Sequence, residues 1–198
     1  MSAPTFAQPP PSGAWSARTG PSAAGSDVGL VRPVLTTGAL AALIALFVAA
    51  DEIRHLEAAL SAVLARAVGI DDARVVGSSV LFAVDGVTTG YSITLGCTVA
   101  FLVFPFTAAT AGLLAIRRVP VARSLASLLS AVGIVVAFNQ VRLVTIASAM
   151  EVWGPDEGYA RTHVLVGTVI STTGVVLAGT AYLAVLLRGT FPERGGRS

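Results

Sequence analysis

Four stretches of this sequence are apolar for long enough to cross a lipid bilayer, and that constrains its folding more than any other feature. They are 34–50 ("VLTTGALAALIALFVAA"), 97–116 ("CTVAFLVFPFTAATAGLLAI"), 124–150 ("SLASLLSAVGIVVAFNQVRLVTIASAM") and 164–187 ("VLVGTVISTTGVVLAGTAYLAVLL"). A spanning helix needs about 20 such residues. Inside hydrocarbon, backbone N–H and C=O groups must be satisfied within the segment, so each run is read as a helix. Pro105 falls mid-span in the second run, where neighbouring helices tolerate it. The chain is 12% charged, against about 25% in a soluble domain. The expected fold class is an all-α polytopic membrane protein with about four transmembrane helices.

Residues 1–32 are rich in Pro, Ser, Ala and Gly. Such a segment buries too little apolar surface to offset its ordering entropy, and it reads as a disordered tail. It is not a signal peptide, because no apolar core follows its first basic residues until about residue 34. The membrane domain is expected over 33–188, with a short tail over 189–198. All thirteen basic residues are Arg. No basic tract with interleaved aromatics supports nucleic-acid binding. The single cysteine excludes an internal disulfide, and no C-x-x-C or His-rich cluster suggests a metal.

Arg placement sets the expected orientation. The connection 117–123, "RRVPVAR", has three Arg and no acid, and the tails carry Arg18, Arg32, Arg188, Arg194 and Arg197. Segment 51–96 has six acids against three Arg, and 151–163 has three acids against one Arg. Both termini are therefore expected in the cytoplasm and the two acidic segments outside.

The outer segment 51–96 has structure of its own. "DEIRHLEAALSAVLARAVG" places Ile53, Leu56, Leu60, Val63, Leu64 and Ala67 at helical spacing. It reads as an amphipathic helix lying on the outer interface. Val80, Phe82 and Val84, then Tyr91, Ile93 and Leu95, alternate around Asp85-Gly86, a β-hairpin turn signal.

Arg142 lies inside the third span. An Arg at a helix centre costs about 2.5–3.5 kcal/mol on insertion scales, which makes it a functional-site hypothesis. Asn139, three residues earlier in "NQVR", shares its helical face. Counted from Arg117 and Arg123, Cys97 and Arg142 lie twenty and nineteen residues up. At 1.5 Å per residue both reach about 28–30 Å, the outer edge of the hydrocarbon. His163, twenty-five residues from Arg188, comes out about 8 Å higher, unless the preceding loop folds back. Three spans thus deliver a thiol, an imidazole and a guanidinium to one side. A thiolate attacks a carbonyl, an imidazole moves the proton, and a guanidinium stabilises developing negative charge.

Each residue has a plainer reading. A free Cys is often a small buried hydrophobe. Asn139 can be interhelical glue, and His163 a cap or a surface residue. Arg142 can snorkel or pair with carbonyls. His55 is a rival base on the polar side of the interfacial helix, and Asp85 is explained by its turn. Two other functions remain open on the residues alone. One is a non-catalytic membrane assembly module. The other is a small transporter subunit with Arg142 on a polar path, against which the inner halves of the spans carry little beyond Ser and Thr.

The blocks "GCTVAFLVFPF", "NQVRLVTIA" and "HVLVG", in that order, resemble the signature blocks of the exosortase/archaeosortase family of membrane cysteine transpeptidases. The resemblance covers roughly 91–175. It implies Cys97 as nucleophile, Arg142 as anion stabiliser, His163 as general acid/base and Asn139 in a supporting role, with no metal or organic cofactor. The implied partners are an exported protein carrying a C-terminal motif, transmembrane helix and basic cluster, and a lipid or cell-envelope acceptor. Thr98-Val99 stands where the family commonly has Ser-Gly, and the chain keeps only the core of the larger members' helices.

Overall fold

The computed structural model describes residues 27–116 and 119–188. Most of both expected tails, with Arg117 and Arg118, lies outside the described residues. The elements run α1 (Asp27–Val48), α2 (Ala50–Ala67), β1 (Arg74–Val76), β2 (Ser79–Val84), β3 (Val87–Ser92), α3 (Val99–Ile116), α4 (Val121–Trp153), α5 (Pro155–Arg161) and α6 (Gly167–Leu187). A 3-10 turn, Leu95–Cys97, precedes α3, and a single π-helical turn, Thr162–Val166, joins α5 to α6. Helix α1 opens at Asp27, so residues 27–32 of the expected tail are helical. Arg32 donates to the Val119 carbonyl at 2.8 Å, tying α1 to the α3–α4 connection.

Four segments are long and apolar enough to span: Val31–Val48, Val99–Ile116, Val121–Trp153 and Pro155–Leu187. The protein is a multi-pass, predominantly helical membrane protein. Helix α3 continues through Pro105. The last two spans are each 33 residues, about 50 Å at 1.5 Å per residue. The hydrocarbon takes about 30 Å, so both helices stand well clear of it.

Close approach of α4 and α6 holds the bundle together. Gly167, Gly174, Ala178 and Tyr182 form the buried stripe of α6. A Cβ on Gly174 would lie 2.6 Å from Phe138 Cβ, so glycine lets the two backbones meet. Around this seam Val99, Val103, Ala131, Val135, Ala178 and Tyr182 form one core. The Tyr182 hydroxyl finds Thr110 Oγ1 at 2.9 Å. Helix α1 packs on α3 from the side, with Phe47 edge-on to Phe104 at 5.3 Å.

A second core sits at one end of the bundle, where α2 and a small sheet cover α4. The sheet is an antiparallel meander in the order β1-β2-β3. The expected hairpin is present with its turn at Asp85-Gly86, and both residues have positive φ, 53° and 78°. That is the type I′ pattern, which matches strand twist. β1 is a third strand the alternation did not signal. Val80, Phe82, Val84, Tyr91 and Ile93 point into the core, while Leu95 is exposed in the turn before Cys97. The Tyr91 hydroxyl bonds Ser61 Oγ at 2.6 Å, and burial pushes this phenol up to about 12.

Helix α2 shows which of its faces meets the protein. Glu57, Ala58, Ser61, Ala62 and Ala65 are buried, whereas Leu56, Leu60 and Val63 are exposed. The large apolar side chains face away from the protein, and the small residues allow close packing, as membrane-protein interfaces prefer. His55 is exposed, with Nδ1 2.7 Å from the Gly77 carbonyl, so it ties α2 to the β1–β2 turn.

Candidate active site

Cys97 ends the 3-10 turn at the mouth of α3 and is 8% exposed. Its N–H bonds the Thr94 carbonyl at 2.9 Å. Thr98 follows with β-type dihedrals, and its Oγ1 accepts the Ala100 N–H at 3.3 Å. Thr98 is thus the N-cap of α3. A side-chain hydroxyl is what this position needs, and Thr supplies it.

The cap is held from across the molecule by Glu57 of α2. Oε2 accepts Thr98 Oγ1–H at 2.5 Å. Oε1 accepts the Val99 N–H at 2.9 Å and the Asn139 Nδ2–H at 2.7 Å. One carboxylate therefore joins α2, the start of α3 and the middle of α4, directly behind Cys97. Its charge sits at a helix N-terminus, where the macrodipole favours an anion. Burial nevertheless pushes the Glu57 pKa above the usual carboxylate range, against the lowering effect of the Thr98, Val99 and Asn139 bonds and of Arg54.

Arg142 enters the same region from α4 and is 8% exposed. Nη2 lies 3.5 Å from Cys97 Sγ and 3.5 Å from the His163 carbonyl. The equal depths counted from sequence are thus realised as a contact. Its Nε makes no hydrogen bond. A Cβ on Gly167 would come within 2.7 Å of that Nε and 3.1 Å of the Thr162 carbonyl, so the guanidinium crosses α6 where glycine leaves room.

His163 reaches this level because the chain folds back at once after α4. Gly154 turns with φ 83°, and Pro155, Asp156 and Glu157 open α5 with residues suited to a first helical turn. Helix α5 lies against α4 so closely that a Cβ on Gly158 would clash with the Ala149 carbonyl. Arg161 stacks over Trp153 at 5.7 Å across the turn. The His163 ring stacks on Tyr159 at 4.6 Å and 13°. The ring makes no hydrogen bond to the Cys97 thiol; the His163 carbonyl, not the imidazole, meets Arg142. His163 lies in the π-helical turn, a distortion frequent at functional sites.

Two residues of this site were not singled out from sequence. Glu57 is the only acid on the small-residue face of α2, and that placement was the available signal. Tyr159 packs against the core that includes Cys97 and carries the His163 ring; nothing in its neighbourhood marked it. Among the described residues no cluster of His, Cys, Asp or Glu fits a metal ion. The chain matches no family model, no curated protein and no solved structure.

Proposed function

We propose that the protein is a membrane-embedded cysteine transpeptidase or protease of the exosortase type. The observation that carries this reading is the position of Arg142, with one nitrogen 3.5 Å from both Cys97 Sγ and the His163 carbonyl. A guanidinium there meets the oxyanion that forms when sulfur attacks a carbonyl. Burial in a site shielded from water strengthens this effect.

The substrate is an exported protein with a C-terminal motif, a transmembrane helix and a basic cluster. Its helix anchors in the bilayer and presents the motif at the Cys97 end, which the Arg distribution assigns to the extracytoplasmic face. His163 takes the Cys97 thiol proton as the sulfur attacks the scissile carbonyl, and Arg142 supports the tetrahedral oxyanion. On collapse the C–N bond breaks, and the leaving amine takes a proton from His163 and departs with the C-terminal helix. The protein remains as a Cys97 thioester. A lipid or cell-envelope amine or hydroxyl then attacks, returns its proton to His163, and frees the thiolate; water as acceptor gives hydrolysis. Catalytic contacts are often long without substrate and tighten in the complex, which accommodates the distance of the imidazole from the thiol.

Co-expression with an exported protein bearing such a tail tests this reading. Wild type should shorten the substrate by its C-terminal helix, and Cys97→Ala, Arg142→Ala and His163→Ala should leave it intact. Processing that persists in Cys97→Ala would sink the enzyme reading.

A further inference from the structure

The meander ends on an open edge. Among the described residues β3 pairs with β2 on one side and with no strand on the other. The register is set by Val84↔Val87 around the two-residue turn, and continues through Phe82↔Thr89 and Val80↔Tyr91. In such a hairpin the turn-closing pair is hydrogen-bonded, and bonding then alternates. Val87, Thr89 and Tyr91 therefore aim their backbone groups at β2. Thr88, Gly90 and Ser92 aim theirs away from the sheet, and among the described residues none of these outward groups has a hydrogen-bond partner.

A groove of about 400 Å³ runs along this edge. The β3 side contributes Gly90, Ser92 and Thr94; the facing wall is α5 with Pro155, Asp156 and Tyr159. Unlike the apolar grooves on the bundle, it is lined by polar and apolar surface together. Its ends matter. Thr94 is three residues before Cys97, and Tyr159 is the ring on which His163 stacks. The groove thus ends beside the candidate site, one residue contact short of His163 and three residues short of Cys97. Asp156 is exposed and, among the described residues, makes no salt bridge, whereas the neighbouring Glu157 is paired to Arg161.

We propose that this groove binds an extended peptide segment that adds to the free edge of β3 as a fourth strand and carries a basic side chain opposite Asp156. Edge addition supplies affinity through the main chain and leaves side chains to set specificity. The proposal rests on the transpeptidase reading for its occupant, the motif ahead of the substrate's transmembrane helix. That segment must run from outside toward the membrane. β3 runs the same way, since its end leads through Thr94 to Cys97 and into α3. The added strand is therefore parallel to β3, and its downstream end arrives at the thiol.

The test is a binding experiment that needs no catalysis. A displayed library of random twelve-residue peptides is selected on the full chain carrying Cys97→Ala in nanodiscs. Enriched peptides should share a basic position. On their binding, amide exchange should slow at Gly90 and Ser92, and stay unchanged at Thr89 and Tyr91, which the ladder already protects. Ser92→Pro, which removes an outward N–H and no ladder bond, should abolish binding. Asp156→Asn should weaken the basic peptides roughly two- to fivefold, the range for an exposed charge pair. Failure to enrich any peptide overturns the proposal, as does binding without protection at Gly90 and Ser92. Concentration-dependent protection of those amides without peptide would assign the edge to a second copy of the chain instead. Edge binding by peptides that wild type never cleaves would keep the groove and remove the transpeptidase reading; cleavage without edge protection would do the reverse.

Discussion

Glu57 and Asn139 are 82 residues apart in sequence and 2.7 Å apart in space, joined by a hydrogen bond from the amide to the carboxylate behind Cys97. The same carboxylate holds the Val99 N–H at the mouth of α3. Glu57→Ala leaves both donors buried without a partner, at ~1–3 kcal/mol each. The Asn139 Oδ1 already lacks a partner, so that amide would be stranded completely. The expected outcome is a clearly lower melting temperature in detergent and faster alkylation of Cys97, now 8% exposed, as the turn around it loosens. Glu57→Gln keeps an acceptor for Val99 and Asn139 and should lose much less. Equal effects of the two variants would remove Glu57 from its holding role.

The charge of Glu57 gives a pH dependence with a defined sign. Burial raises its folded pKa above the ordinary carboxylate range. The unfolded chain therefore releases this proton at lower pH than the folded one. The folded state is favoured by this group below about 4.3, the unfolded value for Glu. That contribution is lost as pH rises through the raised folded pKa, and is constant above it. Melting temperature measured across this window should fall for wild type relative to Glu57→Gln, and the two curves should run parallel at higher pH. A wild-type curve that rises relative to Glu57→Gln as pH rises would reverse the sign.

Gly167 tests how the guanidinium is seated. An added Cβ would be 2.7 Å from Arg142 Nε and 3.1 Å from the Thr162 carbonyl, and overpacking of this kind costs ~1–3 kcal/mol. Gly167→Ala should displace Arg142 from Cys97 and cut substrate processing while the bundle stays folded. Gly179 lies on the same helix, and a Cβ there meets nothing within 4 Å. Gly179→Ala should be silent in processing and stabilising by about 0.4–1 kcal/mol. Matching losses from both glycines would mean general helix damage.

The spans and the common depth of Cys97 and Arg142 were legible because both follow from counting residues at a fixed rise. The level of His163 was not. The count from Arg188 put it about 8 Å higher unless the preceding segment folds back, and nothing in "EVWGPDEGYAR" says whether it does. The chain extends α4 to Trp153 and returns through Gly154, and the contact at Gly158 that sets the return depends on tertiary packing. Helix α2 was recognised as a helix, but periodicity alone does not say which face meets protein. In water Leu56, Leu60 and Val63 would be the buried side. Against a membrane they are the exposed side, and the small face that carries Glu57 packs inward.

Orientation has its own check. In a Cys97→Ala background, Thr88→Cys and Ala122→Cys place single thiols at exposed positions near opposite ends of the bundle. If the basic 117–123 connection is cytoplasmic, a membrane-impermeant maleimide should label Thr88→Cys in intact cells, and Ala122→Cys only after permeabilisation. The opposite pattern would place the Cys97 end in the cytoplasm and overturn the proposed sorting role.

Arg142→Lys separates charge from geometry. Lysine keeps the positive charge but replaces the planar fork with a compact ammonium. One guanidinium nitrogen now serves both Cys97 Sγ and the His163 carbonyl while Nε passes Gly167, and a single ammonium on a flexible stem does not hold that arrangement. Processing should fall by about 10²–10³, the scale for loss of one oxyanion donor, with the melting temperature little changed. If Gly167 acts through Arg142, Gly167→Ala should add little in the Arg142→Lys background, because coupled residues are non-additive. Additive losses would show that Gly167 serves the α4–α6 seam alone. Full activity in Arg142→Lys would reduce the role of Arg142 to its charge.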